Sequence, residues 1–296
     1  MSETSDPDRQ SRRPGKAVPT RRMSFEASFR DVPKHFAGDG DLIGSHLTAA
    51  LSSVFPDGEE FFVRSVRHFR DQITEPAFKK QVAGFIGQES VHGREHRVFN
   101  DRLDELGYPA KRLERVTDRL LRARERVLSP KSNLAVTAAL EHFTATLAEL
   151  VLTSEEVRDQ LGHPAVRDLF VWHALEESEH KAVAFDVYRA VGGGERMRVN
   201  TMKVLRCAFV IYIGSNIVLS LARDGDSFRR GKLLRSLRLF RRSPLVSKEV
   251  WSTLKEYDRP GFHPEDRDTS TLIEQWRTEL FGADGTLNDK LATASA

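Results

Sequence analysis

The 296-residue sequence predicts an all-α fold, a four-helix bundle with one long crossover and additional helices toward the C-terminus. Three observations carry this. Strand signals, alternating apolar runs bounded by tight turns, are almost absent. Two similar segments, Gln88-Glu89-Ser90-Val91-His92 and Glu176-Glu177-Ser178-Glu179-His180, each embed a Glu-x-x-His in sequence of helical character. Between them, Leu103 to Asn133 is polar and basic and reads as the crossover.

Along the chain, residues 1–22 are rich in Arg, Ser and Pro, lack the apolar core of a signal peptide, and read as a disordered basic tail on a cytoplasmic protein. The bundle is expected over 40–195, a helical extension packed on it over 196–282, and a loose tail over 283–296. Pro56 and Asp57 suit a helix start, with apolar residues recurring through Val63, Val66 and Phe69, which places Glu59 near the first turn. Leu134 to Leu152 is rich in Ala, Leu and Val, has no Gly or Pro, and predicts a largely buried helix around Glu141. Val204 to Ala222 is strongly apolar but interrupted by Arg206, Ser215 and Asn216; it reads first as a fifth helix buried against the bundle and second as a marginal membrane span. In residues 228–242, Leu and Phe alternate with arginines at helical spacing. That pattern fits a helix lying on an anionic membrane surface and equally a solvated helix whose apolar side packs on the protein.

Residues three apart share a helical face, so each Glu-x-x-His offers a carboxylate and an imidazole to one metal ion. Two such pairs and one Glu from each of two further helices make the ligand set of the ferritin-like di-iron and di-manganese bundles. Glu59, Glu89 with His92, Glu141, and Glu177 with His180 supply that set in chain order, as ligands of two divalent ions. The cations would also neutralise four buried carboxylates that otherwise repel. The mixed donors suit iron, the expected metal, and also manganese or zinc. His96 and His173, one turn from His92 and Glu177, face the same interior as further ligands or as groups that orient ligands, and Asp186 fits an orienting carboxylate. His142 points about 100° away from Glu141 and reads as a packed core histidine. His263 either closes over the site or packs a turn.

The stretches Phe55-Pro56-x-Gly58-Glu59, Phe85-Ile86-Gly87-Gln88-Glu89-x-x-His92-Gly93-x-Glu95-His96, Leu140-Glu141-His142-Phe143-Thr144-Ala145 and His173-x-x-Glu176-Glu177-x-Glu179-His180-Lys181-x-Val183-Ala184-Phe185-Asp186 resemble a bacterial family of predicted metal-dependent hydrolases. Tyr257-x-x-Pro260-x-Phe262-His263-Pro264 looks similar too, and the resemblance spans residues 40 to 280 or so. It implies a metal-dependent hydrolase, whereas the ligand pattern itself points to ferritin-like di-metal chemistry, and both expectations stand.

A competing pattern overlaps the first. His92-Gly93-Arg94-Glu95-His96 is the inverted zinc-peptidase signature, with two zinc-binding histidines and Glu95 as general base. Glu95 and His173 are therefore the candidate catalytic groups. The expected activity is oxidation of a small hydrophobic or acyl substrate with dioxygen, which needs a redox partner. Hydrolysis by a metal-activated water is the alternative, and non-catalytic metal binding the third reading. The single cysteine, Cys207, excludes an intrachain disulfide, a cysteine zinc site and an iron-sulfur cluster. No Gly-x-Ser-x-Gly, phosphate loop or dinucleotide fingerprint is present. A net charge of +3, with no nucleic-acid-binding signature, sets nucleic acid aside. Peripheral contact with an anionic membrane and a homodimer complete the expected partners.

Overall fold

The computed structural model describes residues 18–292, and the regular structure in that range is helical. Helices α1 (Leu42–Arg67), α2 (Pro76–Glu105), α4 (Pro130–Thr153) and α6 (Pro164–His180) form the bundle as two hairpins, α1 with α2 and α4 with α6. The crossover is itself mostly helix: α3 (Ala110–Val127) lies against α1. A short α5 (Glu155–Leu161) joins α4 to α6.

Helix starts follow local chemistry. Glu75-Pro76, Ser129-Pro130 and His163-Pro164 open α2, α4 and α6, and each cap side chain accepts a hydrogen bond from a first-turn N–H. Proline sits where its missing N–H costs nothing. The expected start at Pro56 is corrected. Helix α1 begins at Leu42, capped by Asp41, and runs through Pro56. Pro56 cannot donate to the Ser52 carbonyl, and that buried acceptor takes a 3.1 Å hydrogen bond from Asn100 Nδ2 of α2 instead. The helix survives its proline because a neighbour supplies the lost donor.

Two apolar clusters flank the middle of the bundle, one around Phe25, Phe99 and Trp172, the other around Phe61, Phe85 and Phe185. The first and last described residues are packed on the bundle. Residues 1–17 of the expected basic tail and 293–296 of the expected loose tail lie outside the described residues. From Val18 onward the chain packs on the bundle: Met23 and Phe25 are buried, Ser24 N–H donates to Lys290 O, and Ala292 N–H donates to Arg22 O. Leu287 is buried beside them. This path lies directly on α2, where a Cβ at Gly84 would sit 2.2 Å from Val18 O and one at Gly87 2.1 Å from Thr20 Oγ1.

The extension comprises α7 (Val183–Ala190), α8 (Glu195–Leu221), α9 (Arg230–Arg242), α10 (Lys248–Glu256) and α11 (Ser270–Phe281). The Tyr257 to Pro264 motif is a clamp: buried Arg198 donates to the Tyr257 and Arg259 carbonyls and lies over the Tyr257 ring. The expectation of a fifth helix buried against the bundle is half met. Phe209 and Ile213 seat α8 on α4 and α1, but Val204, Ile211 and Val218 remain 66%, 69% and 65% exposed. Helices α4 and α8 are both long and apolar enough to cross a membrane; the most apolar window of α4 is 67% buried, that of α8 only 11%.

Candidate metal centre

All six expected ligands meet between the two apolar clusters. Glu59 comes from α1, Glu89 and His92 from α2, Glu141 from α4, and Glu177 and His180 from α6, and all are buried. His180 Nε2 lies 3.1 Å from Glu89, 3.5 Å from Glu141 and 3.7 Å from Glu177. His173 Nε2 lies 2.9 Å from Glu177 and 3.5 Å from Glu59. Both carboxylate oxygens of Glu59, Glu89 and Glu141, one of Glu177, His92 Nδ1 and His180 Nε2 have no well-directed hydrogen bond among the described residues. Orphaned buried acceptors of this kind are costly, and their convergence fits a cation bound among them. Two donor groups overlap at Glu89, one with Glu59 and His92, the other with Glu141 and His180.

The hydrogen bonds around the ring fix which nitrogens can bind. Gln88 Nε2 donates to Pro19 O and to Glu179, so its Oε1 accepts from His180 Nδ1 at 2.8 Å and leaves the His180 Nε2 lone pair facing the carboxylates. His92 Nε2 donates to Glu176 at 2.9 Å, which leaves Nδ1. Asn100 Nδ2 is held by Ser52 O and Glu114, so its Oδ1 takes the single Ser52 hydroxyl proton. His96 Nδ1 must then donate to Ser52 Oγ, and His96 Nε2 accepts from His173 Nδ1 at 2.7 Å. His173 Nε2 is left as a lone pair directed at Glu177 and Glu59. Three imidazoles thus present acceptors to four carboxylates, which is stable only with cations or protons between them.

The electrostatics agree. Burial first, and Glu89 and Glu177 second, push Glu59 and Glu141 well above the ordinary carboxylate range, and burial also raises Glu89. Burial opposes charge on Glu177 and His180 too, but each holds the other ionised, Glu177 well below its usual range and His180 well above. A proton on His180 occupies the position that a metal would take. Burial, then His173, pushes His92 and His96 down toward their neutral forms, in which His92 Nδ1 keeps a free lone pair.

Other expected residues lie elsewhere. Glu95 accepts from Phe25 N–H at 2.8 Å and from Arg94 at 2.9 Å, so it anchors the N-terminal segment; no donor group among the described residues joins it to His92 and His96. The inverted zinc-peptidase constellation is therefore not assembled. Asp186 and His263 bond each other at 3.0 Å rather than supporting the ligands. Helix α6 stops at His180, and Asp186 lies on α7, which begins at Val183. His142 donates to Thr253 O and packs on Tyr257 and Phe262, with burial pushing it down to about 4.

Sequence reasoning overlooked the groups that orient the ligands. The residue before each motif's first ligand supports the histidine of the opposite motif: Gln88 holds His180, and Glu176 holds His92. Arg21 bonds Glu176 at 2.9 Å and Glu179 at 2.8 Å, and Arg277 also reaches Glu179. Burial pushes Glu176 up to about 8 against the pull of Arg21. The only sequence signal for these roles was the matching position of Gln88 and Glu176.

A cavity of about 600 Å³ runs from the surface to the centre, and His173 and Glu177 lie at its buried end. Leu47, Leu51 and Phe55 of α1, Leu147 and Val151 of α4 and Phe170 of α6 make its wall apolar. Leu239 and Phe240 of α9 stand at its exposed end.

The family model described as predicted metal-dependent hydrolase matches residues 19–268. No match was found among curated proteins or solved structures. With a buried cluster of metal-type donors at its centre and a family match over most of its length, the chain belongs to the predicted metal-dependent hydrolase family.

Proposed function

We propose that this chain hydrolyses an apolar, acyl-type substrate at a ferritin-like two-metal centre. One observation carries the reading: an apolar cavity ends on a cluster of buried carboxylate and imidazole atoms that lack partners. Glu59, Glu89, His92, Glu141, Glu177 and His180 would hold the ions, with His173 Nε2 as a further donor. Metal bound there supplies an acidified water and polarises a carbonyl oxygen. The protein does the rest. Gln88 and Glu176 aim the ligating nitrogens, and the Ser52–His96 relay aims His173 toward the cavity end. Phe55 lies edge-on to His96 and His173 at 4.9 Å and keeps bulk water off that side. Leu47, Leu51 and Leu147 hold an alkyl chain while its polar end meets the centre.

A second reading is oxidation of the same substrate by dioxygen at two irons, favoured by the donor set itself, four glutamates with histidines from four helices. Anaerobic assays of iron-, manganese- and zinc-loaded protein on chromogenic acyl esters of increasing chain length separate the two. The expected result is ester cleavage that needs metal but not oxygen and falls by roughly 10³-fold in Glu141→Ala. No ester cleavage in the anaerobic assays, with oxygen consumed once air is admitted, would overturn hydrolysis in favour of oxidation.

A further inference from the structure

Two consecutive helices of the extension, α8 and α9, both lie on α1 and both leave apolar side chains uncovered. On α8, Val204, Ile211 and Val218 recur every seven residues, with Val210 and Leu219 beside them, along an exposed stripe of about 20 Å at 1.5 Å per residue. On α9 and the turn before it, Phe228, Leu234, Leu237 and Leu239 are exposed among Arg229, Arg230, Lys232, Arg235, Arg238, Arg241 and Arg242. No acidic residue interrupts Ser227 to Lys248. Arg230, Arg238, Arg241 and Arg242 have no carboxylate partner among the described residues, although carboxylates satisfy Arg229, Lys232 and Arg235.

Helix α9 and the turn that joins it to α8 are tied to the bundle. Ser236 turns inward, accepting from Ile43 N–H and donating to Asp41. Asp224, in the turn between them, receives His35 at 2.9 Å, His46 at 3.1 Å and Lys34 at 3.1 Å. Leu239 and Phe240, near the end of α9, also line the exposed end of the cavity that leads to His173 and Glu177.

We propose that α8 and α9 together form a docking surface for an anionic lipid bilayer, and that docking opens the cavity to the membrane. An apolar stripe alone would equally suit a second copy of the chain. The unpaired cations of α9, set among its own exposed Leu234, Leu237 and Leu239, select a surface that is both apolar and negatively charged. The docking stands on these helices alone; the entry of an acyl substrate from lipid rests on the function proposed above.

The test is flotation of the full-length, metal-loaded protein with phosphatidylcholine vesicles, with and without phosphatidylglycerol. Wild type should float only with the anionic vesicles. Changing Arg230, Arg238, Arg241 and Arg242 to Gln should weaken binding by about 10²-fold or more, and Ile211→Ser with Val218→Ser should weaken it at unchanged charge. Native Cys207, exposed on α8 and the only cysteine, can carry an environment-sensitive fluorophore, whose emission should shift to the blue on anionic vesicles. Wild type left at the bottom of the gradient, or both variants floating as wild type does, would overturn the docking. So would a dimer in solution that Ile211→Ser disperses, because it assigns the face to a second copy. Glu141→Ala should float normally, so a failed metal centre and a failed docking surface are separable. Cleavage of an ester dissolved in anionic vesicles should slow in the arginine variant while cleavage of a soluble ester does not; equal rates on both would overturn entry from lipid.

Discussion

Chelation of the metal should lower the Tm of this protein by about 10 °C, and by clearly more near pH 8 than near pH 5. The size follows from linkage: ions at 10³ times their Kd add about 4 kcal/mol, and each kcal/mol moves a domain of this size by about 2–4 °C. The pH dependence follows from Glu59, Glu89 and Glu141, whose folded pKa values are raised first by burial and then by neighbouring carboxylates, Glu89 and Glu177 for Glu59 and Glu141, and Glu177 for Glu89. A carboxylate with a raised folded pKa contributes stability that is fully present below its unfolded value of about 4.5 and is lost as pH rises through the folded value. Chelated protein therefore weakens as pH rises, because the fold must ionise carboxylates that have no cation between them. Metal-loaded protein keeps those groups ionised and compensated, and its ions compete with fewer protons at higher pH. Differential scanning calorimetry of loaded and chelated samples at both pH values measures the gap. A gap of equal size at the two would show that the buried carboxylates do not face a cation.

Gln88→Ala and Glu176→Ala should each reduce metal affinity by about 10- to 100-fold, and at opposite ends of the centre. Gln88 orients His180, whose group includes Glu141; Glu176 orients His92, whose group includes Glu59. Without its partner, each imidazole regains ring rotation, and its second nitrogen competes for the ligating role. Glu176→Gln keeps an acceptor for His92 Nε2 and should retain most of the affinity. Titration against a chelator of known affinity should show one weakened step in each alanine variant and a different step in the two. Weakening of both steps together would mean that the variants disturb the bundle and not a single imidazole.

How much of this was legible in the sequence depended on the range of the interaction. The helices of the bundle and the six candidate ligands follow from spacing within a segment, because a Glu-x-x-His has one geometry on any α-helix. What failed was longer in range. Pro56 read as a start because its lost donor is replaced by Asn100, more than forty positions on. Gln88 and Glu176 act across the bundle, so nothing beside them in the chain announces their targets. Glu95 shared a motif with His92 and His96 but was claimed by the backbone N–H of Phe25, far away in the chain. The apolar run in α8 was legible as helix but not as surface, since composition does not say what covers it.

The most direct test is metal content per chain after anaerobic purification, for wild type, Glu141→Ala and Glu95→Gln. The account predicts two divalent ions in wild type and in Glu95→Gln, with at least one lost in Glu141→Ala. One zinc per chain, kept in both Glu141→Ala and Glu95→Gln, would contradict it, and would return the centre to His92 and His96 with Glu95 as general base.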